Sequence, residues 1–211
     1  MAGEKAQKKG KEKWKEKVWY TVEAPSYLGS KEISVALGED TQSMVNRIIE
    51  VPISDLTGNF KKSNEKAIFK IVSCEGTRCK TLFVGHYVGD DYIRRMIRRR
   101  KERIDIIKDV RTKDNFIITV KLVVVSDNKL TNTKKIEIRK ILSEFILNKA
   151  SEMPYSEFVR YVIGDDVYND MVNTTKDTYP LRKIEVRKSE LVSSGQETPE
   201  TPVNENTAEI A

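Results

Sequence analysis

One histidine, His86, and two cysteines, Cys74 and Cys79, are all the imidazole and thiol chemistry in this chain of 211 residues. A metal centre of His and Cys ligands, or a nucleophile activated by an imidazole base, therefore has almost nothing to draw on. The glycine patterns that cradle phosphates are missing: there is no G-x-x-x-x-G-K-[ST] and no G-x-G-x-x-G after a strand. The G-x-S-x-G nucleophile turn is missing too. No apolar run approaches the roughly 20 residues that cross a bilayer, and the N-terminus has no hydrophobic signal-peptide core. These absences argue against an enzyme, a cofactor, a metal and a membrane span, and the expected location is the cytoplasm. Cys74 and Cys79 flank Glu-Gly-Thr-Arg, which reads as a tight turn, so they are expected close together across a hairpin. In a cytoplasmic protein the favoured state is a pair of reduced structural thiols.

Lysine and arginine are absent beyond Glu190, although they number 38 in the whole chain against 32 acids. Setting aside the four glutamates of that last stretch (Glu197, Glu200, Glu205 and Glu209) raises the formal charge from +6 to +10. The folded part is thus more basic than the whole, which favours an acidic partner such as nucleic acid. Only 38% of residues are hydrophobic, so unpacked ends are expected. Residues 1–17 are rich in lysine and glycine and read as a disordered basic arm, in which Lys11, Lys13 and Lys15 surround one stacking plane, Trp14. Residues 193–211 read as a disordered acidic tail, leaving 18–192 as a single domain.

The strongest positive feature runs from Gly85 to Arg103. Ile93, Met96 and Ile97 have the spacing of one buried helix face, while Arg94, Arg95, Arg98 and Arg99 occupy the remaining arc, followed by Arg100, Lys101 and Arg103. Asp90 and Asp91 stand where they could cap such a helix. A solvated face normally mixes charges, but here Glu102 is the one acid between Asp91 and Asp105. Arginine forks match phosphate oxygens in pairs and stack on bases, so the partner expected is a nucleic acid. His86 and Tyr87, at the end of the preceding strand, are expected to hydrogen-bond or stack on a nucleotide.

Periodicity divides the domain into strands and helices. Val18–Glu23, Arg47–Ile53, Ala67–Cys74, Arg78–Gly85, Ile104–Thr112 and Phe116–Ser126 read as strands, the last so apolar that it should be central. Ser30 to Leu37 reads as a short helix stopped by Gly38. Core helices are expected from Thr133 to about Ala150, from Pro154 to Gly164, and around Val167 to Val172. In the late strand Ile184 and Val186 face one way, and Lys183, Glu185 and Arg187 the other. Arg182, Lys183, Arg187 and Lys188 make this strand a further candidate for phosphate contact. There is no internal repeat. The class is α+β, with mostly antiparallel strands, flanking α-helices and disordered termini.

Specific strings carry a family resemblance. They are Trp19-Tyr20-Thr21-Val22-Glu23-Ala24-Pro25, Asp55-Leu56-Thr57-Gly58, Gly85-His86-Tyr87 with Asp91-Tyr92-Ile93-Arg94 and Arg98-Arg99-Arg100, and Tyr179-Pro180-Leu181-Arg182-Lys183-Ile184-Glu185-Val186-Arg187-Lys188-Ser189. In this order the sequence resembles the S-three-Ae (e-S-one) family of small-subunit ribosomal proteins, in its archaeal form. The resemblance implies a β-barrel core and a non-enzymatic component of the small ribosomal subunit, on the platform near the mRNA exit. Its implied partners are small-subunit ribosomal RNA, neighbouring ribosomal proteins and mRNA near the exit, with no homo-oligomer. The chain departs from longer eukaryotic members in their Asp-Pro-Phe element and C-terminal extension, and its acidic tail matches nothing in the pattern. Apart from the family, composition also admits a free-standing RNA- or DNA-binding regulator.

Overall fold

A computed structural model describes residues 17–164, 166–176, 179 and 181–194. Lys11, Lys13, Trp14 and Lys15, and the acidic tail from residue 195 onward, lie outside the described residues.

The strands are β1 (Val18–Glu23), β2 (Glu32–Gly38), β3 (Ile48–Pro52), β4 (Glu65–Glu75), β5 (Arg78–Val88), β6 (Glu102–Arg111), β7 (Ile117–Ser126) and β8 (Leu181–Ser193). They form one sheet in the order β2-β1-β5-β8-β7-β6, with β4 on the other side of β5 and β3 beyond it. Every pairing is antiparallel except the short parallel match of Thr21–Glu23 with Arg78–Lys80. The branch point is β5. One edge carries β4, and the other carries β1 near its start and β8 near its end.

The closed barrel implied by the resemblance is not formed. Among the described residues β2, β3 and β6 each pair on one side only, and the long helix α4 (Asn132–Glu152) packs against β6 where closure would begin. The strand β7 is interior, as its apolar run requires, with β6 and β8 on its two sides.

Two further expectations are corrected. Ser30 to Leu37 contains an edge strand in place of a helix, because Glu32–Gly38 pairs along the whole of β1 and satisfies its backbone there. The spacing of Ile33, Ala36 and Leu37 suits a helix, but over so short a run it is equally compatible with a strand. The cysteines are bonded to each other and are not free thiols. Cys74 and Cys79 face each other directly in the β4–β5 register, with Cα atoms 4.0 Å apart. The two-residue turn between these strands has Gly76 at φ +60°, a hairpin conformation that L side chains adopt with difficulty.

Helices pack against the sheet, α4 on β6 and the later helices on β8 and on one another. Ile138, Leu142, Ile146 and Ala150 recur every fourth residue on α4 and are buried. Pro154 then starts α5 (Tyr155–Ile163), and α6 (Asp166–Thr175) buries Val167, Met171 and Thr175 by the same rule. Burying each of the Ile, Leu, Val and Met side chains among these stabilises the fold by roughly 1.5–3 kcal/mol. Smaller helices are α1 (Thr41–Met44), α2 (Ile53–Thr57) and α3 (Asp90–Met96).

His86 belongs to the interior, at 1% exposure, with both ring nitrogens engaged inside the protein. Its Nδ1 lies 2.7 Å from Ser189 Oγ and its Nε2 3.2 Å from the Val186 carbonyl oxygen. The neutral ring fits with the proton on Nε2: that N–H donates to the carbonyl, and the Ser189 hydroxyl donates to Nδ1. Ser189 Oγ in turn accepts the His86 backbone N–H at 3.2 Å. Burial pushes the His86 pKa down to about 4, against the pull of the Val186 carbonyl and with help from the positive charge of Lys62.

Because this folded-state pKa lies below the unfolded value, the unfolded chain takes up the proton first as pH falls. Stability contributed by the neutral ring is complete above about pH 6.5 and is lost progressively down to about pH 4, by about 3 kcal/mol. Urea unfolding of wild type and His86→Gln between pH 7 and pH 4 checks this: the wild-type curve should fall more steeply across that window. Parallel curves would show that His86 is not held neutral.

Candidate nucleic-acid interface

The basic end of the molecule is assembled where β5 hands the chain to α3. Gly89 caps α3 without a side-chain hydrogen bond, while its own N–H donates to Asn64 O at 2.9 Å. Asp90 and Asp91 therefore complement the helix dipole from the first turn instead of serving as caps. The helix is also shorter than its periodicity suggests. It ends at Met96, Ile97 is extended, and Arg98 to Arg100 form a turn in which Arg100 takes the left-handed φ of +70°. Another helical turn would have stacked Arg98 on Arg94 and Arg99 on Arg95, and would have carried the chain away from β6.

This turn lies at one end of the sheet with the β7–β8 ends. Ser126 is the register partner of both Glu102 and Leu181, which brings Arg98–Lys101, Asp127 and Arg182 into one neighbourhood. Lys101 Nζ is 2.7 Å from Asp127 Oδ1, and Arg182 Nη1 is 3.9 Å from the same oxygen. The Lys101 ammonium holds the Asp127 carboxyl below its ordinary range, with Arg182 adding to the effect.

The predicted cations separate into two groups. Arg103 pairs with Asp105 at 2.8 Å, Arg187 with Asp90 at 3.3 Å, Lys183 with Glu185 at 3.0 Å, and Lys188 with Glu190. Arg94 approaches Asp91 at 4.0 Å, and Arg95 reaches the Asp91 carbonyl and Asn64 Oδ1. Arg98, Arg99 and Arg100, by contrast, are exposed and have no acidic partner among the described residues. Among the predicted cations of the described residues, these three stand together, exposed and without an acidic partner. Tyr87 stands apart from them, its hydroxyl donating to Glu50 at 2.7 Å with Lys66 Nζ 5.9 Å from its ring.

Between the turn and β8 lies a groove of about 360 Å³, lined by Asn64, Tyr92, Arg95, Arg98, Arg182 and Lys183. Tyr92 and Asn64 were not among the sequence candidates. Tyr92 had a signal, an aromatic interleaved with arginines, whereas Asn64 comes from a remote turn and is placed by tertiary structure alone. The Tyr92 hydroxyl accepts from Lys183 and donates to Glu185 Oε1 at 3.3 Å, so the hydroxyl end of the ring is held by two partners on β8. Burial works against the Lys183 charge, but Tyr92 and Glu185 together hold its pKa above the ordinary lysine value. Among the described residues no cluster of three or more His, Cys, Asp or Glu side chains could hold a metal, and no helix is long and apolar enough to cross a membrane.

The pattern of the Ribosomal S3Ae family matches residues 5–195. The chain is 78% identical over 193 residues to small ribosomal subunit protein eS1 of Thermoplasma volcanium, covering 92% of this chain and 90% of that one. It is 76% identical over 201 residues to the protein of the same name from Thermoplasma acidophilum, with 95% and 94% covered. The Picrophilus torridus protein of that name is 53% identical over 182 residues, with 86% and 87% covered. A match over this length, and these identities across nearly whole chains, establish that the chain belongs to the Ribosomal S3Ae family.

Proposed function

We propose that this protein is a structural, non-enzymatic constituent of the small ribosomal subunit and binds small-subunit ribosomal RNA through the basic end of its sheet. The observation that carries the RNA contact is the turn Arg98–Arg100, three exposed guanidinium groups without acidic partners among the described residues, beside a groove lined by Arg95 and Arg182. Three adjacent arginines exposed without acidic partners, next to a groove lined by further arginines, are the electrostatic footprint of a phosphate backbone. Family membership and the names of the relatives support the ribosomal setting, and with it the cytoplasm. On this reading the protein lies on the platform near the mRNA exit, touches neighbouring ribosomal proteins and mRNA there, and acts as a single copy. The arm with Lys11, Lys13, Trp14 and Lys15 would add RNA contacts outside the described residues.

Two measurements test this. Replacing Arg98, Arg99 and Arg100 together by Gln should reduce the slope of log affinity against log salt by about 2 to 3, at roughly 0.7–0.9 for each phosphate that is no longer neutralised. Arg187→Gln, which removes a cation already paired with Asp90, should change the slope less. Equal slopes in all variants would mean that the turn is merely solvated. Second, the chain should co-sediment with small subunits through a high-salt wash. Its release at moderate salt would favour a free-standing RNA-binding regulator.

A further inference from the structure

Behind the arginine groove the fold contains a second, larger cleft of about 520 Å³, bounded by β8, α6 and the turn that carries Lys61. That volume falls within the roughly 300–1,000 Å³ of small-molecule sites. Tyr92 and Lys183 line both spaces, so the two share a wall. The cleft's apolar lining includes Met171 and Ile184, and its polar lining includes Lys61, Asn169 and Glu185. Tyr168, on the solvent side of α6, lines it while remaining 39% exposed. His86 also borders it, but both ring nitrogens are already engaged inside the protein.

We infer that this cleft receives one unstacked nucleobase of the RNA whose backbone occupies the adjoining arginine groove; the inference rests on the RNA-binding reading given above. Three features favour a base over other occupants. A base has faces that stack on an aromatic ring and an edge of mixed donors and acceptors, which matches the exposed Tyr168 ring beside Lys61, Asn169 and Glu185. A free polyphosphate would meet the carboxylates of Glu65 and Glu185 as well as the lysines. Tyr92 is locked between Lys183 and Glu185 before any ligand arrives, with Lys183 Nζ 4.6 Å from its ring centroid. It therefore supplies a wall that does not have to be ordered on binding. The shared wall also sets the path of the strand: phosphates pass Arg95, Arg98 and Arg182, and the base between them turns past Tyr92 toward Tyr168.

The test uses the full chain with archaeal small-subunit ribosomal RNA transcribed to contain 4-thiouridine or 6-thioguanosine. Irradiation should give cross-links to Tyr92 and to the α6 peptide that carries Tyr168. Tyr168→Ala and Asn169→Trp, both at exposed positions where the fold should tolerate change, should each weaken binding about tenfold by removing a stacking plane or filling the cleft. Neither removes a phosphate contact, so the salt slope should stay that of the wild type, unlike the slope of the arginine-turn variant. Retained RNA binding with cross-links confined to the Arg98–Arg100 region and unchanged affinity in both variants would overturn the proposal while sparing the RNA-binding reading. A protein neighbour cross-linked to Tyr168 in assembled subunits, in place of RNA, would overturn it as well. Failure of the wild-type chain to bind the RNA at all would overturn both.

Discussion

The two halves of the sheet meet through three residue pairs, Gly85–Tyr87 of β5 against Lys188–Glu190 of β8. At that crossing the backbones come so close that a Cβ placed on Gly85 would lie 2.1 Å from the Ser189 carbonyl oxygen. That atom is main chain and cannot rotate away. The next residue, His86, fills the space beneath with a ring bonded to Ser189 and Val186. The close approach and the buried imidazole thus act on the same strand pair. One sets how near β5 comes to β8, and the other fixes their register.

The basic surface depends on this junction. From Val88 the chain passes through Gly89 into α3, which runs beside β8 with Arg187 paired to Asp90 at its start and Tyr92 held by Lys183 and Glu185 further along. These contacts are partly exposed, and the Arg187–Asp90 ion pair is worth at most about 1 kcal/mol of stability. Their larger effect is positional, since they fasten α3 to β8 and leave Arg98–Arg100 projecting at the sheet end. Charge that reads in the sequence as one continuous basic tract is in fact divided between cations that hold the fold and cations that face outward.

Where side-chain spacing alone decides an element, the sequence was legible: the buried stripe of α4, the interior position of β7 and the two faces of β8 follow directly from periods of 3.6 and 2. The arginine cluster was legible as charge, but its shape was not, because ending α3 at Met96 depends on where β6 must begin. Edge strand β2 was missed for a similar reason, since its partner β1 and not its own pattern determines its conformation. His86 carried no sign of its burial, because the groups that satisfy it are about a hundred residues away. For the cysteines, compartment outweighed geometry: the hairpin register that opposes Cys74 and Cys79 was anticipated, and the bond itself was not.

The β5–β8 approach is tested most directly by adding a single methyl group at Gly85 and following both stability and structure. Urea unfolding of Gly85→Ala should show a loss of about 3 kcal/mol, the upper range for forcing atoms into a packed interior. Amide hydrogen exchange should at the same time rise in α3 and around Arg98–Arg100, which the junction holds in place. Wild-type stability, with exchange unchanged in α3, would contradict the account, because the basic end would then be positioned by something other than the close crossing of these two strands.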